Sequence, residues 1–216
     1  MRIVRRDILG AAAATCVVAV AACKPQTTWN EQDVSGALPP LQFSMTDAVT
    51  GEPVTEADFR GRIVLLYFGY TYCPDFCPTT LTNLSNVLQR LGAGADQVRV
   101  LFVTVDPNRD TLTQLKSYGA LFAPQVVGLR GTPDELAALA RRYRVAYSVT
   151  PPHGDVPYTV THSSIVYVFD QDGDARLLVD SMDTAKPDVA GTAKDLRTLI
   201  ADYRPPGLFE RIMRMV

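Results

Sequence analysis

An apolar run that leads straight into two cysteines and then into a helical pattern constrains the fold of this chain more than any other feature. Residues 63–68 read IVLLYF, a continuous β-rich run that is typical of a strand covered on both faces. Over residues 81–91 apolar side chains recur at helical spacing, and Gly92 then ends the pattern. We therefore predict a central strand, a cysteine-bearing loop and an amphipathic helix over residues 78–91.

The two cysteines, Cys73 and Cys77, are predicted to lie at the positive end of this helix. Pro78 suits a first helical position, which would make Cys77 the N-cap residue. The helix dipole favours a thiolate there, and a thiolate is both the nucleophile of disulfide exchange and a ligand for soft metal ions. Three residues separate the cysteines, one more than in a Cys-x-x-Cys redox pair, and this looser spacing favours an ion between the sulfurs by degree only. Two other interpretations of the cysteines remain: a redox pair and a small structural disulfide. The disulfide would add little stability across so short a loop.

The beginning of the chain is predicted to be a targeting segment, residues 1–23, and not part of the fold. Its first six residues carry three arginines, residues 8–22 are apolar and rich in alanine, and small residues precede Cys23. This pattern resembles a bacterial lipoprotein signal, in which Cys23 becomes the lipidated first residue of the mature chain. An uncleaved membrane anchor and cleavage at an ordinary small-residue site are the alternatives. Arg5 and Arg6 form a partial twin-arginine signal, which leaves the export route open.

This segment predicts a protein that is exported, anchored to the membrane, and facing the periplasm or the outer side of the bacterial cytoplasmic membrane. Beyond residue 23 the chain keeps only Cys73 and Cys77. In an oxidising compartment such a pair closes into a disulfide unless a reductant opens it. The chain has 21 basic and 23 acidic residues and no basic patch, so nucleic acid is not an expected partner.

The rest of the sequence divides into a polar tether over residues 24–37, one domain over residues 38–205 and a tail over residues 206–216. The domain is predicted to start with a β-hairpin that turns at residues 50–53, and residues 147–158 are predicted to be a loop or a broken hairpin. The other predicted strands are residues 63–68, 98–105, 126–129 and 175–179, together with one that residues 162–170 enter just after His162. The predicted helices are residues 78–91, 112–121, 133–143 and 189–203. This order predicts an α/β fold with a mixed central sheet, helices on both faces and an N-terminal β-hairpin extension. With the cysteine pair after the first long strand, the arrangement is thioredoxin-like.

Three separated stretches of the sequence match the motifs of one family in order, spacing and context. They are YFGYTYCPDFCP at residues 67–78, VDPNRDT at residues 105–111 and YTVTHS at residues 158–163. In these stretches the chain resembles the Sco/SenC proteins, which are copper chaperones of cytochrome c oxidase assembly. The likeness covers residues 38–203, which is most of the exported chain.

The resemblance implies a thioredoxin-like fold that holds one copper ion, Cu(I) or Cu(II), through Cys73, Cys77 and His162. Family members often carry aspartate directly before the histidine, where this chain has Thr161. That departure concerns the support of the imidazole and leaves the ligand in place. The implied partners are subunit II of cytochrome c oxidase, a periplasmic copper donor, and a thioredoxin-like reductant that keeps the cysteine pair reduced.

Other polar residues near these motifs have two explanations each. Asp75, between the cysteines, either tunes the thiolates or contacts a partner, or is simply solvated. Asp106, like Asp75, either supports the metal ligands or contacts a partner. With Arg109 and Asp110 it matches the polar loop of the family, and helix capping with local charge pairing explains these three residues equally well. His153 lies in a loop rich in proline and glycine, and we expect it to be exposed and not a metal ligand.

Three functions fit these features. The first is a membrane-anchored copper metallochaperone, a binding protein and not an enzyme, that delivers copper to the dinuclear copper centre of cytochrome c oxidase subunit II. The second is a thiol-disulfide reductase that uses Cys73 and Cys77 to keep the copper-site cysteines of the oxidase reduced. A peroxidase of the peroxiredoxin type is the third, although it would need a single activated cysteine in a different setting. Replacing His162 separates the first two, because disulfide exchange should depend mainly on the cysteines.

Overall fold

The structure covers most of the predicted domain and part of the predicted tether. A computed structural model describes residues 27–153, 158–205 and 207. The targeting segment with Cys23, the first residues of the tether and nearly all of the predicted tail therefore lie outside the described residues. In the part of the chain that is described, no helix combines the length and the apolar character needed to cross a bilayer.

The described residues form ten strands and four α-helices. The strands are β1 (Gln32–Asp33), β2 (Ser44–Asp47), β3 (Pro53–Thr55), β4 (Ile63–Gly69), β5 (Val98–Thr104), β6 (Val126–Arg130), β7 (Tyr147–Thr150), β8 (Thr159–His162), β9 (Val166–Phe169) and β10 (Ala175–Val179). The α-helices are α1 (Phe76–Leu91), α2 (Leu112–Ala120), α3 (Pro133–Arg142) and α4 (Val189–Asp202), and two short 3-10 helices are Glu56–Phe59 and Gly92–Gln97.

Eight of these strands form one sheet in the order β1-β10-β9-β4-β5-β6-β2-β3. β4 is parallel to β5 and antiparallel to β9, and all seven of its residues are buried. The parallel pairing continues from β5 to β6, whereas the outer pairs are antiparallel. The predicted mixed sheet is confirmed, and the continuous apolar run of β4 follows from cover on both of its faces.

Helices cover both faces of this sheet, as predicted. Tyr67 and Phe102 lie side by side on one face with ring centroids 6.0 Å apart, and α2 reaches that face through Tyr118, whose ring lies 5.5 Å from that of Phe102. Tyr167 follows the residue that pairs with Tyr67 and therefore points to the opposite face. There its ring lies 5.8 Å from that of Tyr143, the residue that ends α3. The arrangement is the thioredoxin-like one that the sequence predicts.

The N-terminal part of the domain contains a predicted hairpin and an unpredicted strand. β2 and β3 pair as the hairpin, and Thr46 of β2 pairs with Arg130 of β6, so the hairpin continues the main sheet. β1 lies within the predicted tether, yet it pairs with β10 at the opposite edge of the sheet. Val34, which follows β1, is only 7% exposed, so this part of the predicted tether lies against the domain.

The remaining strands, β7 and β8, form a separate two-stranded sheet. β7 lies in residues 147–158, the segment predicted to be a loop or a broken hairpin, and its partner β8 begins directly after that segment. The strand predicted just after His162 is β9, which begins at Val166, whereas β8, which ends at His162, was not predicted. β8 pairs with β7 while β9 pairs with β4 and β10, so the chain has to leave one ladder before it enters the other.

Candidate metal centre

The two cysteines are held by the loop after β4 and by the first turn of α1. The helix begins at Phe76 with Asp75 as its N-cap, so Cys77 is the second helical residue and Pro78 the third. The prediction that Cys77 is the N-cap is therefore wrong by two residues. Pro78 still fits, because the N–H groups of a first helical turn have no acceptor within the helix, and a proline there breaks no hydrogen bond.

Cys77 is packed tightly against the end of β4. A Cβ atom at Gly69 would lie 2.9 Å from the Cys77 sulfur and 2.5 Å from Cε2 of Phe102. Only a residue without a side chain leaves room for this contact, which places α1 on the Phe102 face of the sheet. Cys77 is fully buried, whereas Cys73 is 8% exposed and lies beside the exposed residues Tyr72 and Pro74.

His162 approaches the cysteines from the small sheet. Its Nε2 atom lies 3.2 Å from the Cys77 sulfur. One ligand atom from each of Cys73, Cys77 and His162 lies within 4.8 Å of the others. This is the one group of three or more histidine, cysteine or acidic side chains within the described ranges that could hold a metal ion. The other histidine, His153, is exposed and lies outside the group.

The ring of His162 is oriented by its neighbours. Its Nδ1 atom lies 2.9 Å from the carbonyl oxygen of Ser163, and because a carbonyl can only accept, Nδ1 carries the proton and Nε2 is free to bind a metal. The rings of Tyr67 and Tyr70 meet the imidazole edge-on at 6.1 and 5.8 Å. Thr161 is exposed and bonds to Ser148 across the small sheet. The support of the imidazole therefore comes from the Ser163 carbonyl and not from residue 161.

Electrostatics make the two cysteines unequal. A hydrogen bond from the Cys77 thiol lowers the pKa of Cys73 to about 3, and the backbone N–H groups of Asp75 and Cys77 act in the same direction. Cys77 donates that bond and is buried, and both effects raise its pKa. Its backbone nitrogen lies 3.4 Å from the Cys73 sulfur. Both cysteines are free, and near neutral pH the pair consists of one thiolate and one thiol.

The two acidic residues singled out from the sequence, Asp75 and Asp106, differ in burial and in contacts. Asp75 is exposed, and its side chain makes no capping hydrogen bond, so its effect on Cys73 comes from its backbone. Asp106 is 1% exposed and accepts a hydrogen bond from Tyr158 at 2.8 Å. The sequence assigned no role to Tyr158, because its partner lies 52 residues away along the chain.

The fold and the site together define a class of protein: a thioredoxin-like domain with two sulfur donors and one imidazole donor for a single metal ion. Such a donor set suits a soft ion such as Cu(I). The SCO1/SenC family model matches residues 36–201 of the sequence. The chain belongs to the SCO1/SenC family.

Individual relatives agree with this membership. The protein described as Protein SCO2 homolog, mitochondrial, of Mus musculus is 39% identical over 161 residues, which cover 71% of this chain and 63% of the relative. Protein SCO1 homolog, mitochondrial, of Homo sapiens is 40% identical over 134 residues, or 61% of this chain and 44% of the relative. The chain thus spans less than two thirds of the length of these relatives. The structure of Bradyrhizobium japonicum ScoI with copper bound is 36% identical, has a TM-score of 0.65, and aligns over 74% of this chain and 98% of that one.

Proposed function

We propose that this protein is a copper metallochaperone that delivers copper to the dinuclear copper centre of cytochrome c oxidase subunit II. The observation that carries the proposal is the convergence of Cys73, Cys77 and His162 within 4.8 Å. Family membership and a relative solved with copper bound support the choice of copper. Two thiolates and an imidazole also match the ligands that Cu(I) prefers.

The unequal burial of the ligands suggests how copper leaves. Cys73 is the sulfur with residual exposure, whereas Cys77 is fully buried under the main sheet. An incoming thiolate from the oxidase would therefore replace Cys73 first, and Cys77 and His162 would hold the ion until a second acceptor ligand arrives. Because each exchange forms one bond as another breaks, no free copper ion needs to be released. Loading requires Cys77 to give up its proton, so binding releases protons as it proceeds.

The proposed setting is the outer side of the bacterial cytoplasmic membrane. The targeting segment at residues 1–23 would direct export, and a lipid on Cys23 would anchor the mature chain. A periplasmic copper donor would load the site. A thioredoxin-like reductant would keep Cys73 and Cys77 open, since a disulfide between them cannot bind Cu(I).

An anaerobic Cu(I) competition titration on the reduced chain from residue 24 onward tests this function. We expect one copper per chain and a loss of affinity of at least about tenfold in His162→Ala, because one of three ligands is removed. His153→Ala is the matched control, since this exposed histidine lies outside the group. Weak binding by the unmodified chain, or equal affinity in both histidine variants, would contradict the proposal.

A thiol-disulfide reductase is the second candidate, and the depressed pKa of Cys73 favours it. With a pKa of about 3, Cys73 is a thiolate at neutral pH and can attack a disulfide. Cys77 would then close the pair as the target gains two electrons and two protons, and the external reductant would reopen it. Reduction of an oxidised subunit II copper-site peptide by His162→Ala at the unmodified rate, together with weak copper binding, would favour this function.

A further inference from the structure

His162 is attached to the cysteines by side chains and not by the backbone of the main sheet. It ends β8, and β8 pairs only with β7 in a sheet of its own. The backbone ladder that fixes β4 and the cysteine loop therefore does not extend to the histidine. Residues 163–165 join His162 to β9 of the main sheet and keep it near β4, and side-chain contacts between the small sheet and the rest of the domain fix its distance to the sulfurs more closely.

One such contact joins Tyr158, which directly precedes β8, to the loop after β5. The Tyr158 hydroxyl donates to Oδ1 of Asp106 at 2.8 Å. The other carboxylate oxygen of Asp106 pairs with Nε of Arg109. The Arg109 guanidinium carbon lies 4.0 Å from the centroid of the Tyr158 ring, well within the range of a cation–π contact. Tyr158 is thus held at its hydroxyl and on its ring face by the same ion pair.

The same loop also holds the cysteine side of the site. Asp110 is fully buried, and its carboxylate accepts from the backbone nitrogen of Thr71 at 3.0 Å and from the Thr71 hydroxyl at 2.6 Å. Thr71 lies two residues before Cys73. The loop at residues 105–111 therefore contacts both segments that carry metal ligands: Asp110 bonds to Thr71 in the cysteine loop, and Asp106 bonds to Tyr158 before β8.

The burial of Asp106 makes its contact with Tyr158 strong. Asp106 is 1% exposed, and a buried carboxylate without partners would be costly, so Tyr158 and Arg109 have to stay in place. A second contact, from the Tyr70 hydroxyl to the carbonyl of Val160 at 3.4 Å, is longer and involves no charge. Of the two contacts that join β8 and the residue before it to the main part of the domain, the charged contact at Asp106 is thus the stronger.

We propose that Asp106 and Tyr158 are positioning residues that hold His162 against the two sulfurs. This inference rests on the proposed copper-binding function and adds a residue pair through which the affinity is set. Neither residue touches the metal ligands, so each would act only through the histidine. Asp106 thereby has a role beyond local charge pairing in its loop.

A double-mutant cycle on Cu(I) affinity tests the inference, using the reduced chain from residue 24 onward. Tyr158→Phe keeps the ring and removes only the hydroxyl, and we expect it to weaken Cu(I) binding by about tenfold. In the His162→Ala background the same substitution should change the affinity by less than about twofold, because the group it positions is gone. Tyr203→Phe is the matched control, since Tyr203 caps the end of α4 and lies on none of the elements that carry the ligands or on the loop at residues 105–111.

The outcomes separate the inference from the function it rests on. If Tyr158→Phe weakens binding equally in both backgrounds, or not at all, the positioning role is overturned while the copper site stands. If His162→Ala itself has no effect, the proposed function fails first. Urea unfolding of each variant shows whether the fold is kept. If Tyr158→Phe does not fold, Asp106→Ala replaces it in the cycle, and its effect on Cu(I) affinity should depend on His162 in the same way.

Discussion

At the scale of single residues, Cys73 and Cys77 share one proton, and their surroundings decide which sulfur keeps it. Cys73 accepts hydrogen bonds from the Cys77 thiol and from two backbone N–H groups, all of which stabilise a thiolate. Cys77 is buried against Gly69 and acts as the donor, so the proton stays there. The same pair therefore presents a reactive sulfur near the surface and a protonated sulfur inside.

This asymmetry predicts an unusual pH profile for alkylation of the reduced chain by iodoacetamide. Because the pKa of Cys73 is about 3 and the thiolate is the nucleophile, its alkylation rate should be nearly constant from about pH 5 to about pH 8. An ordinary thiol would lose about tenfold in rate per pH unit below its pKa of about 8.5. Peptide mass spectrometry at each pH measures the rate at Cys73 separately.

Two substitutions at Cys77 test the cause of that profile. Cys77→Ala removes the donated hydrogen bond that is the largest cause of the shift, so the pKa of Cys73 should rise and the rate should begin to fall towards acid pH. Cys77→Ser keeps a donor, so the fall in its Cys73 alkylation rate should begin at a lower pH than in Cys77→Ala. A Cys77→Ala profile identical to that of the unmodified chain would show that the Cys77 side chain does not set the pKa.

The metal ligands were predictable as residues, but their supports were not. Cys73, Cys77 and His162 belong to motifs whose order and spacing can be recognised along the chain itself. The contact between Tyr158 and Asp106 joins residues 52 positions apart and follows no local period. Asp106 and Tyr158 each belong to a recognisable motif, but only the fold brings the two residues together.

At the scale of elements, β4 and α1 were predictable because burial and helical spacing mark them clearly. The start of α1 was misplaced because a proline fits any position of a first turn, and Pro78 therefore does not define the first residue. The strand β8 was not predicted, for a different reason. Residues 158–170 are compatible with an extended chain throughout, and only the choice of pairing partner separates the two strands.

The junction between β4 and α1 predicts the effect of Gly69→Ala. The added Cβ would lie 2.5 Å from the Phe102 ring and 2.9 Å from the Cys77 sulfur, so Cys77 or the ring has to move. We expect a loss of about 1–3 kcal/mol in the free energy of unfolding, measured in urea, together with weaker Cu(I) binding. The copper effect follows because the displaced atom is a proposed ligand.

Gly94→Ala is the control for that substitution. Its added Cβ would lie 3.4 Å from Cδ1 of Ile200, which is ordinary contact, so its free energy of unfolding should change by less than about 1 kcal/mol. If Gly69→Ala is as mild as Gly94→Ala in both measurements, Cys77 does not pack closely against β4.

At the scale of the whole molecule, the fold class was predictable and the edges of the sheet were not. Alternation of strands and helices predicts the mixed sheet, and the structure supplies its order from β9 through β4 and β5 to β6. β1 has only two residues, too few to show any period, and it lies in a polar segment that reads as a tether. Besides its pairing with β10, β1 is fixed by hydrogen bonds from the residues just before it to Asp195, which lies 165 positions after Asn30.

Asp195 lies on α4 and is 2% exposed. Its carboxylate accepts from the backbone nitrogens of Asn30 and Glu31, each at 2.9 Å, and from the side-chain amide of Asn30 at 2.6 Å. The last helix of the domain thereby fixes the segment that precedes β1. In the proposed setting, this is the point at which the anchored N-terminal segment joins the folded domain, so the domain would be held through α4 and β10.

Asp195→Ala should therefore release the N-terminal segment as well as destabilise the domain. Removing the acceptor breaks its charge-assisted hydrogen bonds to Asn30 and Glu31, and we expect a loss of about 1–3 kcal/mol in the free energy of unfolding. The amide of Val34, which bonds to the carbonyl of Arg176 at 2.9 Å, should lose most of its protection from hydrogen exchange.

Asp202→Ala is the control, because Asp202 is an exposed position on the same helix. Its free energy of unfolding should change by less than about 0.5 kcal/mol, and Val34 should stay protected. Copper affinity should be unchanged in both variants, because the metal ligands lie on other elements. A protected Val34 amide in Asp195→Ala would mean that pairing with β10 alone holds the segment.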